Sequence, residues 1–283
     1  MVSYFQERQH YTRFHGAQSE MAAISASVIQ GSVIGATAFA ITASDLKPTI
    51  QENHLPKYAD DMNLIVPASQ VNSIEQELNH ITKWASTNNL NLNHSKSKEI
   101  VFARKRGDMK AIPSTNSGIQ RVDEIKLLGV TLDHRLRMER HTLEVISKCS
   151  QSLYALRILR AHGMNQIELN AVFKATVIPK LLYAAPAWWG FATQADRARI
   201  ETYIRKSVKF GYYTPDGPTA ADLVSKADNT LFRRATAGSH VLKSLLPEAK
   251  THSHNLRARV HNFILPDKDD KNFIPRMLYH KVY

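Results

Sequence analysis

Tyr58-Ala59-Asp60-Asp61-Met62-Asn63-Leu64-Ile65-Val66-Pro67 is the stretch whose reading decides the fold. An aromatic residue precedes two adjacent carboxylates, an apolar run follows, and a proline stops it. Over Lys57 to Pro67 this pattern predicts a short strand, a tight turn at the aspartates and a second strand. Adjacent Asp residues are common in ordinary turns, where they solvate the chain and cap helices. Here the flanking strands make the pair a candidate metal site. Carboxylates are the hard oxygen donors that Mg²⁺ prefers, and a hairpin tip presents them with little chain entropy to lose.

Charge widens the argument. The chain has 283 residues, 37 Lys and Arg against 25 Asp and Glu, a net charge of +12 and 43% hydrophobic residues. Such a chain can build one large core or two modest ones. The distributed positive surplus favours a polyanionic partner, most simply nucleic acid, over a merely basic surface. The single cysteine, Cys149, rules out an intramolecular disulfide framework and a Cys-rich zinc knuckle. It sits at an apolar-spaced helical position, so core packing is expected of it. The N-terminus shows no secretory signal, and the reading favours an intracellular setting, cytoplasm or nucleus. Met21 to Ser44 carries no charged side chain and is long enough to span a bilayer. Its many Ser and Thr and its few large aliphatics argue against a span. A small membrane-anchored protein held by this stretch is kept as an alternative.

Outward from the hairpin, Tyr11 and Phe14 alternate with polar residues and suggest short strands. Gln30 to Leu46 predicts a turn leading into a helix that ends before Pro48. Val71, Ile74, Leu78, Ile81 and Ala85 mark one face of a helix over Ser69 to Asn88, with Glu75, Gln76 and Lys83 on other faces. Ile100 to Phe102 and Ile125 to Leu132 read as strands. From about Met138 the chain turns helical, first with Leu143, Ile146, Cys149, Leu153 and Leu156 on one face. Further helices are expected over Asn165 to Tyr183 and Gln194 to Phe210. The fold class is α+β, with a boundary near residue 135.

Four motifs now stand in order. Tyr58-x-Asp60-Asp61 resembles the palm motif of reverse transcriptases. Gln30-Gly31-Ser32-Val33-Ile34-Gly35 is similar to the motif that precedes the helix lining the nucleotide and template site. Asn93-His94-Ser95-Lys96 resembles the segment near the incoming triphosphate. Leu127-Leu128-Gly129-Val130 is similar to the hairpin that grips the primer end. With Leu64 to Ala68 and Ala184 to Trp189, the text resembles non-LTR (LINE-type, jockey-like) retrotransposon reverse transcriptases over most of the chain.

The resemblance implies a partial polymerase palm, an antiparallel sheet with packed helices, over residues 1–135. A helical thumb-like region over 136–215 and a helical or irregular extension over 216–283 follow. It implies Asp60 as principal metal ligand and Asp61 as its assistant, with Mg²⁺ or Mn²⁺ as cofactor. Tyr58 is placed near the primer terminus. Gln30, Gly31 and Ser32 are placed against template or nucleotide, and Lys96 faces the triphosphate. RNA template, DNA primer or their hybrid, and dNTP are the implied partners. Trp188 and Trp189 are expected in the core rather than as stacking platforms.

Two departures matter. Ala36 stands where the family commonly has proline. The family also draws a further metal-ligand Asp from a strand well upstream of Gln30. The acids before Gln30 are Glu7 and Glu20, and neither has that context. The expectation is a truncated reverse transcriptase, inactive by itself because one wall of a two-metal site is missing. The alternative from another class is a non-catalytic RNA- or DNA-binding remnant.

Overall fold

A computed structural model describes residues 8–24, 33–103, 112, 118–250 and 261–280, with backbone alone at Val33. Gln30, Gly31 and Ser32 lie outside the described residues. The chain divides into two compact units, residues 1–99 with 110–121, and residues 100–109 with 122–283.

The first unit opens with a nested hairpin. β1 (Gln9–His10) pairs with β4 (Ala22–Ala23), and β2 (Arg13–Phe14) with β3 (Ala17–Gln18). His15 and Gly16, at φ 47° and 83°, turn the tip. Two successive positive φ values match the right-handed twist of the flanking strands, which is why Gly16 suits the position. The expected strand character at Tyr11 and Phe14 is therefore present, and Phe14 is solvent-exposed. Helix α1 (Val33–Thr42) follows, matching the helix expected after the Gly-containing turn. Among the described residues no helix is long and apolar enough to cross a membrane.

The predicted hairpin forms as β5 (Lys57–Tyr58) against β6 (Asp61–Met62). A bridge between His54 and Ile65 extends the ladder toward its base. The predicted helix over Ser69 to Asn88 is a 3₁₀ turn (Ala68–Ser73) followed by α2 (Ile74–Thr87). Its buried stripe is Glu77, Ile81 and Ala85, spaced by four. β7 (Lys98–Glu99) and β8 (Gln120–Arg121) pair in parallel. The strand thus falls just before Ile100 to Phe102, and the bidentate Glu99–Arg121 pair, at 3.0 Å for both bonds, holds it. Among the described residues every ladder is two-stranded, so where a palm's antiparallel sheet is expected the unit has separate hairpins and one parallel pair.

The second unit carries hairpin β9 (Glu124–Leu127) and β10 (Val130–Asp133), turned by Leu128 and Gly129 at φ 45° and 90°. The division places this hairpin with the helices, whereas the sequence reading draws its boundary after it, near residue 135. The reason is local. The Thr131 amide donates to His141 Nδ1 at 3.2 Å, and its hydroxyl to Glu144 at 3.0 Å. Both acceptors lie on α3 (Glu139–Ala161).

The helical order continues with α4 (Gln166–Val172), a π turn (Phe173–Val177) and α5 (Ile178–Leu181). One continuous helix is expected here. Pro179 lacks an N–H and crowds the preceding turn, and the wider π turn lies just before it. α6 (Ala185–Trp188), α7 (Gln194–Lys209), α8 (Ala220–Thr236) and α9 (Phe273–His280) complete the unit. Capping boxes start α4, α7 and α8: Asn165 with Glu168, Thr193 with Asp196, Thr219 with Asp222. Each satisfies two amides that a helix start leaves open.

Cys149, Phe173, Val177, Leu181 and Ile200 are fully buried in one core, with Trp188 beside them. Burial pushes the Cys149 thiol up to about 11, which fits a packing residue rather than a nucleophile. Trp188 donates its indole N–H to the Tyr183 carbonyl at 2.9 Å. Both tryptophans are core residues, as expected. Leu143 is the exception on the predicted α3 face, because it is 47% exposed. Near the end of the chain, Arg276 on α9 pairs with the buried Asp228 on α8 and also donates to the Pro186 carbonyl. The Lys271 carbonyl lies over Gly190 so closely that a Cβ there would sit 2.0 Å from its oxygen.

Candidate active site

Tyr58 and Asp61 face each other across the ladder, and Ala59 and Asp60 make the turn between them. Ala59 has φ 51°, the left-handed value that the first central position of a tight hairpin turn takes. The structure therefore brings Tyr58, Asp60 and Asp61 onto one exposed tip. Tyr58 is 66% exposed, with its ring free to meet a partner.

What fixes this tip is the residue before it. Lys57 sends its ammonium to the carbonyls of Ala43 and Leu46, just beyond the C-terminal end of α1, where the helix dipole favours a cation. Ala43 and Leu46 are buried, so these carbonyls have little water to turn to. Burial lowers the Lys57 pKa below 10.5, with Asp45 opposing and Lys47 reinforcing the shift. Asp45, three residues past the end of α1, accepts from the Trp84 indole at 2.9 Å.

A second anchor is Glu77 on α2, which has no exposed surface. Its carboxylate accepts from the Thr49 amide at 3.0 Å, the Ile50 amide at 2.9 Å and Asn53 Nδ2 at 2.9 Å. Asn53 also donates to the Ser73 hydroxyl at 3.0 Å. Burial pushes the Glu77 pKa up, but the bonds from Thr49, Asn53 and Ile50 outweigh it and hold the group below 4.5. Glu77 thereby gathers the segment that leads from α1 into the hairpin. Neither Lys57 nor Glu77 is singled out by the sequence reading. The available signal for Glu77 was its place four residues before Ile81, on the apolar stripe.

Lys96 stands on a separate turn of the same unit. Asn93 accepts from the Lys96 amide at 3.1 Å through its side chain and from the Ser97 amide at 3.0 Å through its carbonyl. Ser95 donates to Asn93 Oδ1 at 2.7 Å. This leaves the Lys96 and Lys98 side chains exposed.

Asp60 and Asp61 have the donor chemistry that Mg²⁺ or Mn²⁺ takes. Among the described residues, however, no three His, Cys, Asp or Glu come together to hold an ion. The described donor set is short of a closed metal site.

Residues 2–132 match the family model of reverse transcriptase (RNA-dependent DNA polymerase). The RNA-directed DNA polymerase from mobile element jockey of Drosophila melanogaster is 24% identical over 226 residues, covering 73% of this chain and 24% of that protein. The probable RNA-directed DNA polymerase from transposon X-element of the same organism is 25% identical over 220 residues, covering 73% and 24%. That from transposon BS is 26% identical over 225 residues, covering 74% and 25%. The matches thus span 24% to 25% of the length of these curated relatives. No solved structure matches the chain. Residues 2–132 are thus similar to a reverse transcriptase domain, and the likeness to the RNA-directed DNA polymerases of mobile elements such as jockey extends past them into the helices that follow.

Proposed function

We propose that the Tyr58–Asp61 tip is one wall of a nucleotidyl-transfer site, with RNA-templated DNA synthesis as the parent reaction. The observation that carries this is the turn itself, which puts two carboxylates and an exposed aromatic at one point on a hairpin anchored by Lys57. In this reading Asp60 is the principal metal ligand and Asp61 assists it. Tyr58 lies by the primer terminus, Lys96 faces the triphosphate, and Gln30, Gly31 and Ser32 meet template or nucleotide. A bound divalent ion would supply charge stabilisation for phosphoryl transfer. This chain's own residues hold the tip in place and leave it open to solvent.

Among the described residues the two carboxylates find no third ligand, and a pair alone binds a divalent ion weakly, so these 283 residues by themselves are proposed not to polymerise. Purified protein given an RNA template, a DNA primer, dNTPs and Mg²⁺ is expected to extend no primer. Robust incorporation that Asp60→Asn abolishes would overturn the proposed inactivity. Mn²⁺ titration followed by paramagnetic broadening tests the site separately. Broadening is expected to centre on residues 58–62 and to vanish in the Asp60→Asn, Asp61→Asn double variant. Broadening centred elsewhere would remove the tip as a metal ligand. The second reading, a nucleic-acid-binding module, is favoured by the net charge of +12.

A further inference from the structure

α8 ends on Arg233-Arg234-Ala235-Thr236, and Ala237, Gly238 and Ser239 follow it, all exposed. Two adjacent guanidinium groups thus precede a hydroxyl by three and two residues. Between Asp228 and Glu248 the chain holds no Asp or Glu. Arg233, Arg234 and His240 line one open depression at this end of the helix. Among the described residues neither guanidinium meets a carboxylate, and the buried acid of α8, Asp228, is held by Arg276. A cationic pair with no anion to answer it is a recognition element for an acidic surface.

Thr236 is half-buried, and its hydroxyl donates to the Phe232 and Arg233 carbonyls, each at 3.1 Å. An enzyme acting on this hydroxyl must draw the closing turn into an extended strand. A helix end is where this is easiest, because the terminal turn frays first. From Arg233 to Thr236 only Ala235 is buried, and its methyl is the smallest apolar group to expose. Phe232, which packs with Met277 and Leu278, stays outside the opened stretch. Once extended, at about 3.3 Å per residue, the two arginines branch roughly 7 and 10 Å before Thr236. From Ser239 they are roughly 17 and 20 Å away.

We propose that Thr236 is a phosphorylation site, modified by a serine/threonine protein kinase whose acidic substrate groove reads Arg233 and Arg234. Thr236 Oγ1 attacks the γ-phosphorus of ATP. The Oγ1–P bond forms as the bond from that phosphorus to the β-phosphate oxygen breaks. ADP leaves with the electron pair, and the hydroxyl proton passes to the enzyme's base. The phosphate carries about −1.5 to −2 charge at neutral pH and leaves no hydroxyl donor. It lands at the C-terminal end of α8, where the helix dipole disfavours negative charge, so the closing turn stays loosened after transfer. Arg233, three residues back on the same face, offsets the charge but not the lost donor. The site rests neither on the aspartates nor on the nucleic-acid-binding reading.

The test incubates the full chain with Mg²⁺, ATP and a kinase that selects basic residues before its target. Intact mass and peptide fragmentation then locate the phosphate. One phosphate on Thr236 is expected. T236V, which keeps the shape without the hydroxyl, is expected to lose it, and T236S to keep it. R233Q/R234Q is expected to slow incorporation about tenfold or more, through loss of charge-assisted contacts, and S239A to leave it unchanged. Circular dichroism checks that each variant is folded. In the modified protein the Ala237 amide, which donates to the Arg233 carbonyl at 3.1 Å, is expected to lose exchange protection. No incorporation into the folded chain, or incorporation only after unfolding in urea, would overturn the site. Phosphate mapped to Ser239, or undiminished in T236V, would do the same. Unchanged protection at Ala237 would overturn the loosening of α8.

Discussion

Glu77 shows how one side chain can hold a functional tip without touching it. Its three donors come from the segment between α1 and the Asp60–Asp61 hairpin. Glu77→Gln keeps the shape but replaces an acceptor oxygen with a donor that faces other donors. The expected cost is about 2 to 3 kcal/mol, as for hydrogen bonds to a charged group. The folded pKa lies below the ordinary value of 4.5. The stabilisation is therefore complete above about pH 4.5 and is lost as pH falls through the folded pKa. Protection of the Thr49 and Ile50 amides, relative to the intrinsic exchange rate at each pH, should fall on acidification in the wild type and be low already at neutral pH in Glu77→Gln. Exchange in the variant that matched wild type at pH 7 would refute the role. Asp133 is also held low, since bonds from Arg137 and Arg135 outweigh its burial. Acid sensitivity is thus expected in both units, and only residue-resolved exchange separates them.

At the level of elements, the hairpin was legible because its signals are local. An aromatic, a polar pair, an apolar run and a proline occupy ten consecutive residues, and the structure pairs Tyr58 with Asp61. The starts expected at Asn165 and Gln194 match α4 and α7, whereas the start of α8, with the same capping box, escapes the sequence reading. The anchors were not legible. Lys57 reaches carbonyls 11 and 14 residues away, and backbone acceptors leave no trace in side-chain text. Glu77 looks like any polar helix residue until its partners from residues 49–53 arrive. The α4–α5 region shows the converse. Pro179 announces a disturbance, but sequence alone does not say that a π turn absorbs it. Lys57→Met keeps the aliphatic stem and strands two acceptors, so a loss of about 1 to 3 kcal/mol is expected in urea unfolding. The amides of Asp60 and Asp61 should exchange faster as the tip loosens. An unchanged midpoint and unchanged exchange would show that the ammonium anchors nothing.

Across the whole molecule, the two units differ in what they bury. In the first, the buried apolar residues described are Ala43, Leu46, Ile81 and Ala85, small or medium side chains. The second buries Phe173, Trp188, Ile200, Leu181 and Leu169 among others in one cluster. Apolar burial contributes roughly 25 cal/mol per Å², so the second unit is expected to be the more stable. Native-state hydrogen exchange should find the slowest amides in α3 and α7, with those of α1 and α2 opening at lower free energy. The reverse order would contradict this ranking. The resemblance along the chain says which residues to watch, and the depth of each core says which of them are held firmly.

Gly190 and Asp228 carry a consequence for biosynthesis. The backbone groove at Gly190 receives the Lys271 carbonyl, and the buried Asp228 carboxylate receives Arg276. Both partners emerge from the ribosome long after the residues they complete. A nascent chain that has reached only α8 must keep an apolar notch and an uncompensated anion in readiness. The closing stretch then acts as a latch, so chains halted before it are natural prey for quality-control proteases even though their earlier helices are fully made.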